Sequence, residues 1–182
     1  MSGADVLVWM DLEMTGLDVE RDVIVEIAAL ATSATTLEPL DGGLSVVVAQ
    51  PPEVLAAVGD FVRRMHERSG LLTEIGTAGV SLEEAGQKVL EYIKGHVPAP
   101  RTVPLCGNSI GMDRRFLARY LPDIEEHLHY RSIDVSSIKE LCRRWYPEPF
   151  AARPQKTDDH RALPDIGASI AELRYYRETV FK

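Results

Sequence analysis

Two acidic residues, Asp11 and Glu13, follow the apolar run VLVWM at residues 6–10. Residues two apart in a β-strand face the same side, so a strand that continues this far presents both carboxylates at one point. Two carboxylates held so close repel each other unless a cation lies between them. Oxygen ligands suit Mg²⁺ or Mn²⁺, with water and substrate phosphate in the remaining positions. The pair is a candidate metal site, although an acidic strand end that runs into a turn is the simpler interpretation of DLE alone.

Other residues that could join such a site lie near the start of two predicted helices. Asp113 occurs in CGNSIGMDRRFL, after a predicted strand and a Gly-Asn-Ser loop. His160 and Asp165 occur five residues apart in HRALPDI, where the last helix is expected to open. Taken singly, each fits the ordinary preference of helix starts for acidic and polar side chains. A chemical interpretation therefore depends on their joint occurrence.

The hydrophobic pattern predicts strands first and mainly helices afterwards. Strands are predicted at 5–11, 23–32 and 42–52, and Glu26 is the odd polar residue of the second. We expect these three strands to form an antiparallel meander. Ser81 and Glu84 form a capping box at the start of a helix over 81–97. The later elements are a strand at 104–107, a helix at 111–122, a strand at 130–137, a helix at 138–147 capped by Ser136 or Ser137, a loop at 147–160 and an amphipathic helix at 165–181. This order predicts an α/β fold with a mixed sheet and helices on its faces.

Length and composition predict one domain over residues 1–182 in a reducing compartment. The chain is 45% apolar and 26% charged, as in ordinary globular domains. The first ten residues, MSGADVLVWM, contain too short an apolar run for a signal peptide or a membrane span. Cys106 and Cys142 match neither a disulfide framework nor a metal motif. We therefore expect a cytoplasmic protein without a membrane partner.

The net charge of −8 restricts the nucleic acids that this chain could bind. Residues 1–97 carry 6 Lys and Arg against 16 Asp and Glu, whereas residues 98–182 carry 14 against 12. An acidic protein is poorly suited to coat a long nucleic acid, because each phosphate contact needs a nearby cation. A short anionic ligand, or one bound through metal ions, stays possible.

Four segments together resemble the oligoribonuclease family, which belongs to the DEDD exonucleases whose fifth conserved residue is histidine. They are DLEMTGL, GNSIGMDRRFL, YRSIDVSSIKELCRRW and H-x4-D, in that order, and the resemblance extends from about Val8 to Lys182. It implies a ribonuclease-H-like fold, in which a mixed β-sheet is flanked by helices. It also implies a 3′-to-5′ exoribonuclease that degrades very short RNA, especially dinucleotides, to 5′-mononucleotides.

The same resemblance assigns the catalytic residues. Asp11, Glu13, Asp113 and Asp165 match the four carboxylates that hold two divalent ions, Mg²⁺ or Mn²⁺, and His160 matches the general base. Two such ions clamp the scissile phosphate from both sides at a spacing of roughly 3.5–4 Å. A histidine side chain is suited to accept a proton from the attacking water at neutral pH.

One position departs from the family pattern. Pro164 stands where the family tends to have a second acid before the final aspartate. Because proline is tolerated only in the first turn of a helix, we expect the last helix to start near Leu163, or to start kinked, with His160 on the preceding loop.

The resemblance also assigns residues that contact the bases. Leu17 matches an apolar stacking position, and Phe61 stands where the family usually has tryptophan, so stacking is expected over a smaller area. His66 matches a position near the substrate. Without the resemblance, Leu17 and Phe61 would be interpreted as core residues.

A further group matches the part of the family site that holds the terminal 5′-phosphate. Ser109, Arg131 and Ser136 match this group, and Tyr130 matches a residue donated by the other subunit of a homodimer. An arginine fork can bind phosphate oxygens bidentately. The alternatives are a surface ion pair for Arg131 and a helix N-cap for Ser136.

Two other functions compete with the exoribonuclease prediction. A proofreading or trimming exonuclease would prefer long strands, which the acidic surface disfavours. A nucleotide-binding module without activity would usually have lost a metal ligand, whereas all four acids and the histidine are present here.

Overall fold

The structure, a computed structural model, describes residues 5–155 and 160–181. Its strands form one five-stranded sheet in the order β3-β2-β1-β4-β5. They are β1 (Val6–Met14), β2 (Ile24–Ser33), β3 (Leu44–Val47), β4 (Pro104–Gly107) and β5 (His129–Asp134). The first three strands pair antiparallel, whereas β1 pairs parallel with β4 and β4 with β5. The predicted meander and the predicted mixed sheet are confirmed.

Helices fill most of the rest of the described chain. They are α1 (Pro52–Ala56), α2 (Asp60–Arg68), α3 (Leu71–Thr77), α4 (Leu82–His96), α5 (Gly111–Tyr120), α6 (Pro122–His127), α7 (Val135–Trp145), α8 (Pro147–Ala151) and α9 (Ala162–Thr179). The sequence did not predict α1–α3, α6 or α8. These helices are short, and their N-cap residues make no side-chain cap; these residues are Pro51, Gly59, Gly70, Leu121 and Tyr146. Residues 156–159 of the predicted loop lie outside the described residues. Among the helices in the described ranges, none has the length and apolar composition needed to cross a bilayer.

Two predicted helix starts can be compared directly with the structure. The N-cap of α7 is Asp134, whose side chain accepts a hydrogen bond from the Ser136 amide, so the predicted cap at Ser136 or Ser137 is wrong. Asp134 ends β5 without an intervening loop, and α7 consequently begins three residues earlier than expected. α9 begins at Ala162, which places Pro164 in its first turn and His160 on the preceding loop, as predicted.

The central strand β1 is buried on both faces, because helices cover both sides of the sheet. Val8, Met10 and Leu12 belong to a buried cluster that also contains Phe116 and Leu117 of α5. This face therefore attaches α5, the helix that carries Asp113, to the middle of the sheet.

The opposite face of β1 packs on α9. Trp9 is fully buried in a cluster with Ile166 and Ile170 of that helix. Side chains alternate along a strand, so Asp11 and Glu13 point to the same face as Trp9. The packing of Trp9 thus directs both acids toward the side of the sheet on which α9 begins.

Gly107 lies where β4 approaches β1 closely. A β-carbon at this position would lie 2.9 Å from the Met10 carbonyl oxygen and 2.6 Å from Ile110 Cδ1. We therefore expect Gly107→Ala to lower the free energy of unfolding by about 1–3 kcal/mol, measured by urea denaturation. Gly111→Ala is the matched control, because a β-carbon there meets nothing within 4 Å. Equal stabilities of the two variants would contradict this packing.

Candidate active site

Three carboxylates from opposite ends of the chain converge at the end of β1. One oxygen atom from each of Asp11, Glu13 and Asp165 lies within 4.8 Å of the other two. Glu13 is buried, whereas the other two are half-buried and stay accessible from solvent. Three oxygen ligands so close together form a donor set that suits a hard divalent cation.

Electrostatics within this cluster favour the binding of a cation. The pKa of Glu13 is raised to about 8, mainly by burial and then by the charges of Asp165, Glu26 and Asp113, while Arg161 opposes the rise. The carboxylates therefore resist being ionised together at neutral pH. A divalent cation would remove this repulsion, so the residues present fit a metal site.

Asp113 is attached to β1 from the neighbouring helix. Its Oδ1 atom accepts a hydrogen bond of 2.9 Å from the amide of Leu12, the residue between Asp11 and Glu13. Burial raises the pKa of Asp113 to about 7, although backbone hydrogen bonds oppose the rise. Asp113 is adjacent to the three-acid cluster but does not belong to the group within 4.8 Å. All four predicted metal ligands thus lie in one region of the protein.

His160 and His66 lie close enough to each other for the charge of one to act on the other. His66 is buried, and its Nε2 atom donates a hydrogen bond of 3.0 Å to the carbonyl of Met14, the residue after Glu13. Burial lowers the pKa of His66, and the nearby charge of His160 contributes to the lowering. His160 is half-buried and has a left-handed backbone with φ of 47°. His66 therefore lies beside the strand end that carries Glu13, and His160 lies near His66.

The two predicted base-contacting residues are not core residues. Leu17 is 65% exposed and Phe61 is 72% exposed, so the interpretation that places them in the core is wrong. Leu17 lies on a turn that Asp22 organises by accepting hydrogen bonds of 2.9 Å from the Thr15 hydroxyl and the Asp18 amide. Large apolar side chains exposed on an ordered surface can stack on nucleobases.

Ser109 and Ser136 meet at the carboxyl end of β5 through Asp134. The Ser109 amide donates hydrogen bonds to Asp134 Oδ1 at 2.9 Å and to the Ser136 hydroxyl at 3.2 Å. The Ser136 hydroxyl in turn donates to Asp134 Oδ1 at 2.7 Å. Sequence reasoning missed Asp134, although an aspartate directly before a helical pattern is a common N-cap.

Arg131 and Tyr130 are exposed neighbours on β5. The Arg131 guanidinium lies over the Tyr130 ring, 5.5 Å from its centroid, and Tyr130 is 75% exposed. Their strand is held by Arg114, whose guanidinium donates hydrogen bonds to the carbonyls of His129 at 2.7 Å and Arg131 at 3.2 Å. Because Arg114 directly follows Asp113, the helix with this predicted metal ligand is joined to the strand that carries Arg131, a predicted phosphate-binding residue.

Sequence comparisons identify a family of nucleases. A family model described as an exonuclease, RNase_T, matches residues 8–173. The oligoribonuclease of Mycobacterium avium is 53% identical over 177 residues, which are 97% of this chain and 82% of the relative. The oligoribonuclease of Rhodococcus jostii is 53% identical over 97% of this chain and 88% of its own length. That of Leifsonia xyli is 52% identical over 99% of this chain and 86% of its own length.

Structural comparisons agree on the fold. The E. coli exonuclease I–single-stranded DNA complex in its zinc-bound form matches with a TM-score of 0.70 and 11% identity, over 97% of this chain and 41% of the neighbour. Exonuclease I from Methylocaldum szegediense matches with a TM-score of 0.67 and 20% identity, over 97% of this chain and 41% of the neighbour. This chain thus spans about two fifths of the exonuclease I chains, and the match places its sheet in the ribonuclease-H-like class.

The buried acids predict how stability depends on pH when metal is removed. The folded-state pKa values of Glu13 and Asp113 lie above the ordinary values of 4.5 and 3.8, so the folded protein retains protons that the unfolded chain releases. This contribution to stability is complete below the ordinary values and is lost as pH rises toward about 8. In EDTA we expect the melting temperature to fall between pH 5 and pH 8, and saturating Mn²⁺ to restore it.

Variants of single glutamates isolate this effect. Glu13→Gln should flatten the pH dependence in EDTA, whereas Glu178→Gln, at an exposed position on α9, should leave it unchanged. A melting temperature that rises over this pH range in the wild type, or an identical slope in Glu13→Gln, would contradict the assignment.

Proposed function

The chain belongs to the oligoribonuclease family, and we propose that it completes the degradation of very short RNA by cleaving dinucleotides to 5′-mononucleotides with two divalent metal ions. It is a 3′-to-5′ exoribonuclease, a phosphodiester hydrolase. The observation that best supports the use of metal is the convergence of Asp11, Glu13 and Asp165 within 4.8 Å. A group of carboxylates this close together is difficult to explain by packing alone, since burial disfavours its ionised form.

In this proposal Asp11, Glu13, Asp113 and Asp165 hold Mg²⁺ or Mn²⁺. Divalent ions bound there would lower the pKa of an attacking water and neutralise charge on the leaving oxygen. His160 accepts the proton of that water as its oxygen forms a bond to phosphorus. The bond from phosphorus to the 3′-oxygen breaks at the same time, which releases a 5′-mononucleotide.

The exposed residues around the acids select a short substrate. Leu17 and Phe61 offer apolar faces to the bases, and the fork of Arg131 can bind oxygens of the terminal 5′-phosphate. Ser109 and Ser136 are hydrogen-bonded to each other, and in this proposal they bind the same phosphate. A dinucleotide has few phosphates, so the net charge of −8 does not oppose its binding as it would that of a long strand.

We further propose a cytoplasmic homodimer in which Tyr130 of each subunit contacts the substrate of the other. The proposal is supported by the large exposure of Tyr130, which is 75% accessible in the single chain. Sedimentation equilibrium should give twice the mass of the chain, and a monomer at micromolar concentration would contradict the dimer.

A dinucleotide assay tests the reaction. With Mn²⁺ or Mg²⁺, the purified protein should convert pGpG to GMP, and EDTA should abolish turnover. Asp11→Asn and Asp113→Asn should each lower kcat by about 10²–10³-fold, because each loses a carboxylate that holds the metal ions. Asp123→Asn, at an exposed position on α6, should retain full activity.

Two outcomes would contradict the proposed function. Turnover that persists in EDTA would exclude the metal-dependent reaction. A higher kcat/KM for strands of ten or more nucleotides than for dinucleotides would favour a processive exonuclease.

The role of His160 is tested separately. His160→Gln should lower kcat by about 10²–10⁴-fold, because glutamine cannot accept the proton of the attacking water. His96→Gln is the control, since His96 lies on α4 and pairs with Asp41 at 2.9 Å, outside the candidate site. Metal-dependent turnover that is equal in the two variants would remove His160 from the mechanism.

A further inference from the structure

Glu26 and Arg161 form a partly buried ion pair next to Glu13, one of the proposed metal ligands. Glu26 is 1% exposed on β2, and it is the residue that pairs with Glu13 across the antiparallel ladder. Its carboxylate accepts hydrogen bonds from Arg161, with Nε to Oε2 at 3.1 Å and Nη2 to Oε1 at 3.1 Å. Arg161 is the residue after His160 and stands four positions before Asp165.

The same guanidinium also binds a second carboxylate. Arg161 Nη1 and Nη2 donate to the two oxygens of Glu74, each at 2.9 Å. Glu74 lies on α3, so one arginine connects the middle of the sheet with a helix packed on its edge. Planar bidentate contacts of this kind fix the orientation as well as the position of the arginine.

Glu26 also serves as the N-terminal cap of α9. The N-cap residue of this helix, Arg161, makes no side-chain cap of its own. The Ala162 amide instead donates a hydrogen bond of 3.2 Å to Glu26 Oε2. A carboxylate at the N-terminus of a helix satisfies an otherwise unpaired amide and is favoured by the helix dipole. The start of α9 is consequently held by a residue of the sheet.

These contacts account for the placement of two functional side chains. His160 has a left-handed backbone, which is costly for a residue with a β-carbon and persists only where its surroundings impose it. The Arg161 contacts fix the peptide that follows His160. They also fix the first turn of α9, from which Asp165 reaches Asp11 and Glu13.

We propose that Arg161, held between Glu26 and Glu74, is a positioning residue that sets His160 and Asp165 against the acids of β1. The inference rests on the proposed function for its kinetic consequence. Its structural content, that the metal-binding acids lose their arrangement without Arg161, can be measured independently.

Arg161→Gln should lower kcat for pGpG by about 10–100-fold while KM changes less than about threefold, because the residue does not contact the substrate and acts through ligands and base. Mn²⁺ affinity, measured by calorimetry without substrate, should fall by about tenfold or more. Arg161→Lys should recover part of kcat, since it restores a cation beside Glu26 but not the fork.

Two further variants complete the design. Glu74→Gln removes only the ion pair between Glu74 and Arg161 and leaves the pair between Arg161 and Glu26 intact, so this variant should fold. It therefore serves as the test if Arg161→Gln, which leaves the buried Glu26 without its cation, unfolds the protein. It should lower kcat about threefold or more with KM unchanged. Arg174→Gln is the matched control, because Arg174 lies on α9 and makes a 3.0 Å ion pair with Glu38, away from the acids. Its loss should change neither kcat nor Mn²⁺ affinity.

The outcomes separate this inference from the proposed function. If the wild type cleaves pGpG while folded Arg161→Gln and Glu74→Gln match it in kcat, the inference is wrong and the function stands. If the wild type cleaves no dinucleotide, the proposed function fails, and Mn²⁺ affinity decides the inference. The inference would then be overturned if Arg161→Gln binds Mn²⁺ as tightly as the wild type does. If Arg161→Gln does not fold, equal Mn²⁺ affinity of Glu74→Gln and the wild type would overturn it.

Discussion

The mutual repulsion of carboxylates at the end of β1 is the constraint on which the site depends. Asp11, Glu13 and Asp165 have oxygens within 4.8 Å, and the charge of buried Asp113 also acts on Glu13. Left alone, such a cluster destabilises the folded state as its members ionise. The fold nevertheless holds it in place by packing Trp9 against α9 and by binding Asp113 to the Leu12 amide. A divalent cation is the ligand that this arrangement favours.

A half-buried positive charge, that of Arg161, lies next to this arrangement. Arg161 contacts Glu26 and Glu74 and opposes the raised pKa of Glu13. Asp11 and Asp165 themselves are half-buried, so they remain partly accessible to solvent. In the proposed function, this accessible side would receive the cations and the phosphate.

The sequence predicted those parts of the site that depend on local pattern. Alternation along β1 placed Asp11 and Glu13 on one face, and Pro164 placed the start of α9 within one residue of its position. The segments that resemble the family added Asp113, His160 and Asp165. The alternation of side chains along a strand and the stereochemistry of proline are properties of a few neighbouring residues, which explains why they can be predicted without the fold.

The parts that could not be predicted depend on residues distant in sequence. Glu26 was visible only as an odd polar residue in a strand, because its partner Arg161 is brought to it by the packing of α9 on the sheet. Asp134 was overlooked because it both ends β5 and caps α7. Leu17 and Phe61 are large apolar residues of the kind that usually lies in a core, and only the fold shows that both are exposed.

The central claim is that four acids of this chain form one divalent cation site. Crystals soaked in Mn²⁺ and measured for anomalous scattering test it most directly. The account predicts strong anomalous peaks within ligand distance of Asp11, Glu13 and Asp165, with Asp113 ligating one of the ions. Peaks found only elsewhere on the surface, or none at saturating Mn²⁺, would contradict it.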